Sequence, residues 1–296
     1  MTTDGAFDLT AWTEVQRPRI EAVFEAHLAA RPGIDDPGRL VEAMRYSLLA
    51  PGKRLRPLLA LAAAEAVAAD GGGRASEPDD PVLQAASAVE LVHCYSLIHD
   101  DLPAMDNDDF RRGKPSNHKV YGEATAILAG DALLTLAFEW LADAGVRAGR
   151  PADFGRATLA LARGAGMAGM VRGQARDLGE PAPATVADLE RLHGEKTAAL
   201  FRAATAVGAA AAGGDAAAVE AVGQFGYLFG IAFQHADDVE DGDHQGHAAE
   251  VKSRVAGLLA EAVAALPGSS GSDRPRALRA QAAALWARVA APSESR

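Results

Sequence analysis

Apolar residues recur three and four positions apart along nearly the whole chain, the spacing that places them on one face of a helix. The pattern predicts helices at about 10–30, 38–49, 54–69, 81–101, 120–142, 153–176, 186–211, 215–241, 248–265 and 274–291. No run alternates long enough to predict a strand. Helix breakers fall between these segments: Arg31-Pro32-Gly33, Gly71-Gly72-Gly73 running on to Pro78 and Pro81, Pro181-Ala182-Pro183, Gly213-Gly214-Asp215 and Pro267-Gly268-Ser269-Ser270-Gly271. Each is short enough to be a turn, and none is a long polar linker. The expectation is an all-α fold: a single large bundle of about ten helices around a central cavity, one domain over 1–296.

Composition strengthens the helical reading. Aromatic residues make up only 5% of the chain and alanine is abundant, whereas strands favour aromatic and β-branched residues. Close helix packing explains the alanine bias better than disorder does. The net charge of −11 argues against nucleic acid as the main partner, since phosphate neutralisation wants a basic face. Cys94 is the single cysteine and can close no intrachain bridge, which fits a reducing compartment. Met1 to Asp8 shows no secretory pattern, so a cytoplasmic protein is expected. Apolar stretches such as Pro57 to Ala69 and Ala198 to Ala212 are broken by Glu65 and Arg202, and no transmembrane segment is expected.

The densest chemistry lies at the end of an apolar helix, in Ser96-Leu97-Ile98-His99-Asp100-Asp101-Leu102-Pro103-Ala104-Met105-Asp106-Asn107-Asp108-Asp109. Pro103 stops the helix, which lets Asp106 fold back toward Asp100 and Asp101. Carboxylates held together repel unless a cation joins them, and an oxygen-only set suits Mg²⁺ bridging to phosphates. A solvated acidic turn is the plainer account of two adjacent aspartates alone. A second cluster, Asp237-Asp238-Val239-Glu240-Asp241, follows another apolar helix, with Asp237 and Asp241 on one face. The two clusters can converge only across a cavity, a geometry suited to a diphosphate held between metal ions. Basic groups stand out against the acidic chain at Lys53-Arg54-Leu55-Arg56, Arg111-Arg112-Gly113-Lys114 and Lys196-Thr197. Arginine offers paired donors to phosphate oxygens and lysine a compact charge, although any one group alone reads as a helix-end charge.

Together, His99-Asp100-Asp101-Leu102-Pro103-Ala104-Met105-Asp106, Arg111-Arg112-Gly113-Lys114-Pro115 and Gly122-Glu123-Ala124-Thr125-Ala126-Ile127-Leu128-Ala129-Gly130-Asp131 resemble the trans-isoprenyl (polyprenyl) diphosphate synthases. The bacterial farnesyl and geranylgeranyl diphosphate synthases are the nearest members in pattern, over about Tyr46 to Asp241. The resemblance implies a prenyl-synthase bundle, usually a homodimer, that joins isopentenyl diphosphate to an allylic diphosphate (dimethylallyl or geranyl) by Mg²⁺-assisted ionisation and head-to-tail coupling. It implies that Lys53, Arg56, His93 and Arg112 bind isopentenyl diphosphate, and that Asp100, Asp101 and Asp106 hold two of about three Mg²⁺ ions. Asp237, with Asp238 and Asp241 behind it, would hold the third. Arg111, Lys196, Thr197 and Gln234 would meet the allylic substrate or its diphosphate. Tyr95, five positions before Asp100 and about 7.5 Å further along the helix axis, would floor the product cavity, making farnesyl diphosphate the expected product and geranylgeranyl diphosphate the second choice.

The chain departs from the family after Asp241. Relatives carry a glycine-lysine loop there, whereas Gly242-Asp243-His244-Gln245-Gly246-His247 leads almost at once into Ala248, with Lys252 the only nearby lysine. Poorer closure over the diphosphates is expected. His235, His244 and His247 read as exposed helix-end histidines rather than a zinc site. His93 and Cys94 are adjacent on a helix, so their side chains diverge and form no catalytic dyad. Besides an active synthase, a non-catalytic partner subunit and a terpene cyclase remain as readings; retention of both clusters speaks against the first, and the second cluster's pattern against the other.

Overall fold

A computed structural model describes residues 7–29, 36–68, 78–181, 183, 185–241, 248–267 and 274–290, except the side chains of 38, 241 and 248–250. The chain threads thirteen α-helices among these residues: α1 Leu9–Leu28, α2 Leu40–Leu48, α3 Leu55–Val67, α4 Pro81–Asp100, α5 Asn117–Tyr121, α6 Glu123–Arg147, α7 Pro151–Ala165, α8 Met170–Gly179, α9 Val186–His193, α10 Ala199–Ala211, α11 Ala216–Asp241, α12 Ala248–Ala265 and α13 Arg276–Ala290. The all-α expectation holds.

Helix α4 organises the bundle. Asp80 caps it, accepting hydrogen bonds from the Val82 and Leu83 amides at 2.9 and 3.0 Å, and Pro81 supplies the preset first turn. It is buried almost all round, packing most extensively on α6 and further on α3 and α10. Within that apolar run the buried Glu90 needs a counter-charge, and Arg54 at the head of α3 donates to it at 3.1 Å. Helix α10 packs between α3, α7 and α11, and the small residues explain how closely: a Cβ on Gly208 would collide with the Ala60 carbonyl of α3. A second apolar layer joins α11 to α12 and α13, with Phe201, Phe225, Phe229 and Phe233 in mutual ring contact at 5.4–6.4 Å.

Four expectations need correction. A short hairpin exists, Phe110–Arg111 (β1) paired antiparallel with Lys114–Pro115 (β2), turning at Arg112 (φ 52°) and Gly113 (φ 76°). Two-residue strands carry no readable periodicity, and Arg-Gly is a weak form of the turn signal that such positive φ values demand. The segment expected at 120–142 begins a helix only after Gly122, whose φ of 85° breaks it from α5, and runs on to Arg147. The segment at 153–176 divides at Gly164 to Gly169 into α7 and α8, where glycines meet neighbouring backbone too closely for a side chain. The segment at 186–211 is interrupted by a π-turn at Gly194–Ala198, a distortion common at functional sites.

The membrane reading also changes. Pro81–Asp100, Glu123–Arg147 and Ala216–Glu240 are long and apolar enough to cross a bilayer by length and composition. Of the three, α4 is the most fully buried within the protein, whereas α6 leaves apolar residues such as Ile127, Leu128 and Val146 exposed.

Candidate active site

The first aspartate cluster is built where α4 ends. After Asp101 the chain reverses: the Asp106 amide donates to the Asp100 carbonyl at 2.9 Å, and Asn107, in the left-handed region at φ 56°, donates to the Leu102 carbonyl at 3.1 Å. Asp106 thus comes back beside Asp100, as the proline suggested. The β1–β2 hairpin then aims Arg111 inward, and its Nε and Nη2 donate to Asp101 Oδ1 at 2.9 and 2.5 Å. Ser116 fastens the loop by donating to the Asp108 carbonyl at 2.6 Å, and Asn117 by donating to the Ala43 carbonyl at 2.8 Å.

Burial dominates the electrostatics of the cluster. Burial, reinforced by Asp106 and Asp101, pushes the Asp100 carboxyl from 3.8 up to about 6, although Lys196 and Arg111 pull the other way. Asp101 is also raised, chiefly by burial, despite its ion pair with Arg111.

Facing α4 stand α8 and the π-turn. Gly173 of α8 lies so close to the Lys196 backbone that no Cβ fits, which seats the turn. Lys196 Nζ meets Asp177 Oδ2 at 2.5 Å and adds positive potential at Asp100. Thr197 Oγ1 donates to Gln234 Oε1 at 3.1 Å. Between these walls lies a cavity of about 410 Å³ that brings together Arg56, His93, Tyr95, Asp100, Lys196 and Thr197. Its apolar side is Met105, Met170, Val171 and Leu178. Tyr95 is buried, edge-on to His99 at 5.7 Å. His99 in turn packs so tightly on Gly130 of α6 that only glycine fits there.

The four residues assigned to isopentenyl diphosphate are not all in one cavity. Arg56 and His93 line the large one; His93 and Arg112 line a narrower cleft beside it with Arg54 and Lys114; Lys53 is exposed and lines neither. Arg56 stacks over the Phe201 ring at 4.4 Å, and burial lowers its guanidinium to about 10. Burial first, then the surrounding arginines, hold His93 well below its ordinary value, so its imidazole is neutral at neutral pH. Cys94 is buried, its thiol pushed up to about 12 mainly by burial, and inert.

The second cluster is held differently. Asp237 Oδ1 accepts from Arg288 Nη2 of α13 at 2.6 Å, and Arg288 Nε reaches Glu240 at 2.7 Å. Burial raises the Asp237 carboxyl, opposed by Arg288 and by Lys53. Asp237 also acts on Arg56, so both clusters influence the walls of the same cavity. Asp238 accepts from Gln234 Nε2 at 3.1 Å and lies beside His193. The Asp241 side chain, and the shortened segment 242–247 with His244 and His247, lie outside the described residues. His235 is buried, not exposed as expected, because it faces α9 rather than the helix end.

Some site residues escaped the sequence reading. Gln174 lines the cavity with both amide atoms buried and without hydrogen-bond partners, and Asp177 pairs with Lys196. The signal was present: Met170 and Gln174 stand four apart on one helix face, a polar group among cavity-facing apolar ones. Arg288 had no such signal, lying 51 positions beyond Asp237 on a different helix.

An all-α bundle whose partly apolar cavity is lined by Asp100 of one aspartate cluster and by Arg56 and Lys196, with a second cluster acting on Arg56 through the charge of Asp237, is the class defined by fold and site together. Residues 37–252 match the Polyprenyl synthetase family model, and the chain belongs to that family. It is 43% identical over 227 residues to the farnesyl diphosphate synthase of Geobacillus stearothermophilus, covering 76% of this chain and 73% of that protein. It is 44% identical over 239 residues to geranylgeranyl pyrophosphate synthase 7, chloroplastic, of Arabidopsis thaliana, covering 79% of this chain. The aligned region spans 65% of that Arabidopsis protein's length and 54% of the Capsicum annuum geranylgeranyl pyrophosphate synthase. The crystal structure of an FPP/GFPP synthase from Zymomonas mobilis superposes with a TM-score of 0.81 at 35% identity, covering 93% of this chain and 97% of that one.

Proposed function

We propose that the protein is a short-chain prenyl diphosphate synthase, condensing isopentenyl diphosphate with an allylic diphosphate. The observation that carries this reading is the two-sided cavity, with Asp100, Lys196 and Arg56 on its polar side and Met105, Met170, Val171 and Leu178 on its apolar side. A diphosphate ester of a hydrocarbon needs both surfaces. Arg111, Lys196 and Arg56 orient the diphosphates by charge, while the apolar wall keeps water from the allylic cation as the carbon–oxygen bond ionises. The proton lost in coupling goes to the departing diphosphate, so no separate side-chain base is required.

Asp100, Asp101, Asp106 and Asp237 form an oxygen-only donor set, and burial raises the carboxyls of Asp100, Asp101 and Asp237, an ionisation cost that a bound cation would offset. That fits Mg²⁺, about three ions by family resemblance, with Asp238 and Asp241 behind Asp237. Bound there, the metal supplies electrostatic stabilisation of the leaving diphosphate.

Farnesyl diphosphate is the proposed product, because the buried Tyr95 lines the cavity one and a half turns before Asp100. Geranylgeranyl diphosphate is the second reading, supported by relatives bearing that name. The working form is proposed as one domain, a cytoplasmic homodimer without membrane spans. The buried lone Cys94 supports the compartment, and the exposed apolar Ile127 and Leu128 of α6 support the dimer. Incubation with Mg²⁺, isopentenyl diphosphate and dimethylallyl diphosphate tests the reading. Longer diphosphates are expected, and Tyr95→Ala lengthens them. Released hydrocarbon would make the chain a cyclase, no product under any primer would make it a non-catalytic subunit, and an unchanged distribution in Tyr95→Ala removes the floor.

A further inference from the structure

Two imidazoles and a carboxylate meet between α9 and α11, away from the residues that line the catalytic cavity. One ring nitrogen of His193, one of His235 and a carboxylate oxygen of Asp238 all lie within 4.8 Å of one another. The three residues are 7, 1 and 9% exposed. His235 and Asp238 stand three apart on α11 and face the same way, while His193 is the last residue of α9 and comes from the other side. His193 Nε2 and Asp238 Oδ2 are 3.4 Å apart. Two donors each bonded to one tetrahedral zinc ion stand about 3.4 Å apart, given zinc–nitrogen and zinc–oxygen bonds near 2.0–2.1 Å.

A histidine–aspartate pair alone would account for His193 and Asp238. It does not account for His235, whose ring lies 5.1 Å from that of His193 and whose buried Nδ1 has no hydrogen-bond partner. The surroundings resemble those of a metal site. His235 Nε2 lies 3.4 Å from Glu190 Oε1, Glu190 is itself fixed by Arg254 at 2.6 Å, and Gln234 Nε2 holds the other Asp238 oxygen at 3.1 Å. Ligand histidines commonly turn their second nitrogen to a carboxylate, and ligand carboxylates are oriented by hydrogen bonds in the same manner.

We propose that His193, His235 and Asp238 form a site for a single transition-metal ion, Zn²⁺ by the chemistry of its donors, in which Asp238 of the second aspartate cluster turns to the two histidines while Asp100, Asp101, Asp106 and Asp237 keep the Mg²⁺ positions. Two nitrogens and one oxygen suit zinc, whereas magnesium prefers oxygen throughout. The ion cross-links α11 to the end of α9 just before the π-turn, and through Asp238 and Gln234 it stiffens the support of Thr197 at the cavity wall.

The test uses the full-length protein stripped with chelator and returned to excess Mg²⁺, with Zn²⁺ titrated by calorimetry and Co²⁺ by visible absorption. Wild type is expected to take up one equivalent in the presence of Mg²⁺ and to unfold at a higher temperature with it. His193→Asn and His235→Asn are each expected to weaken that binding about tenfold or more, while Asp100→Asn leaves it intact. Should either histidine variant fail to fold, the Co²⁺ form of wild type still decides, since histidine ring protons must then appear as paramagnetically shifted resonances. Absence of a Mg²⁺-independent equivalent, wild-type binding by both folded histidine variants, its loss in Asp100→Asn, or a Co²⁺ form without shifted histidine resonances each overturns the site.

Discussion

The two aspartate clusters are alike in sequence and unlike in surroundings. Asp100 and Asp106 gather on a reversed turn, and Asp100, its carboxyl raised chiefly by burial, lines a cavity that Lys196 also lines. Asp237 is already answered by Arg288 from α13, and Asp238 by Gln234 and the histidine pair. The same residue type therefore does two kinds of work: the first cluster supplies a carboxylate that lines the cavity, and the second binds the last helices and the π-turn to the bundle while its charge acts on Arg56 of the cavity wall. Repetition of a motif does not imply repetition of its electrostatics.

The largest expected effect separates the two by kinetics. Asp100→Asn removes a carboxylate that lines the cavity itself, and turnover should fall about 10³-fold or more; Asp237→Asn should cost on the order of 10²–10³-fold. Steady-state rates at saturating Mg²⁺ measure both. A near wild-type rate for Asp237→Asn would show that the clamp is one-sided.

Behind the first cluster, Gly130→Ala drives a methyl group into the His99 ring and should destabilise the fold by about 1–3 kcal/mol, read from urea unfolding. A neutral result would mean that His99, and with it the end of α4, can shift freely.

The pH dependence of stability sharpens the contrast further. The raised carboxyl of Asp100 means that the fold favours its protonated form; that contribution is complete below the ordinary value of 3.8 and is lost as pH rises through about 6. Without divalent metal the melting temperature should decline over this window, and Mg²⁺ should restore it, most fully above pH 6. Asp100→Asn should flatten the profile. A wild-type profile as flat as that of the variant would remove the burial-raised carboxyl from the account.

The smallest effect is expected at the second cluster. Arg288→Ala breaks a partly exposed pair and should cost only about 1 kcal/mol or less in urea unfolding, while Asp237 titrates higher still by NMR because burial is then less opposed. A loss of several kcal/mol would show that α13 docks mainly through this contact.

Periodicity and composition were sufficient for the helical class, and the proline after Asp101 was sufficient for the reversal that returns Asp106 to Asp100, because both are local effects of backbone sterics and side-chain spacing. Lys196-Thr197 and Arg56 were legible as phosphate-type cations in an acidic chain. The π-turn carrying Lys196 was not, since it is imposed by Gly194, which packs against Tyr227 of a distant helix, and by Gly230, which packs against Ala198. Gln174 carried a local signal that passed unused.

Local sequence was thus enough for the helical class, the outer bounds of most helices and the set of carboxylates and cations the protein has to place, but not for the breaks at Gly122, Gly164 to Gly169 and Gly194–Ala198. Only the tertiary structure decided how each charge is answered: Arg288 on Asp237, Arg54 on Glu90, Lys196 on Asp177, and His193 with His235 around Asp238. Helix formation depends on neighbours three and four residues away, whereas a charge's energy depends on burial and on every group within a few ångströms, most of them far off along the chain.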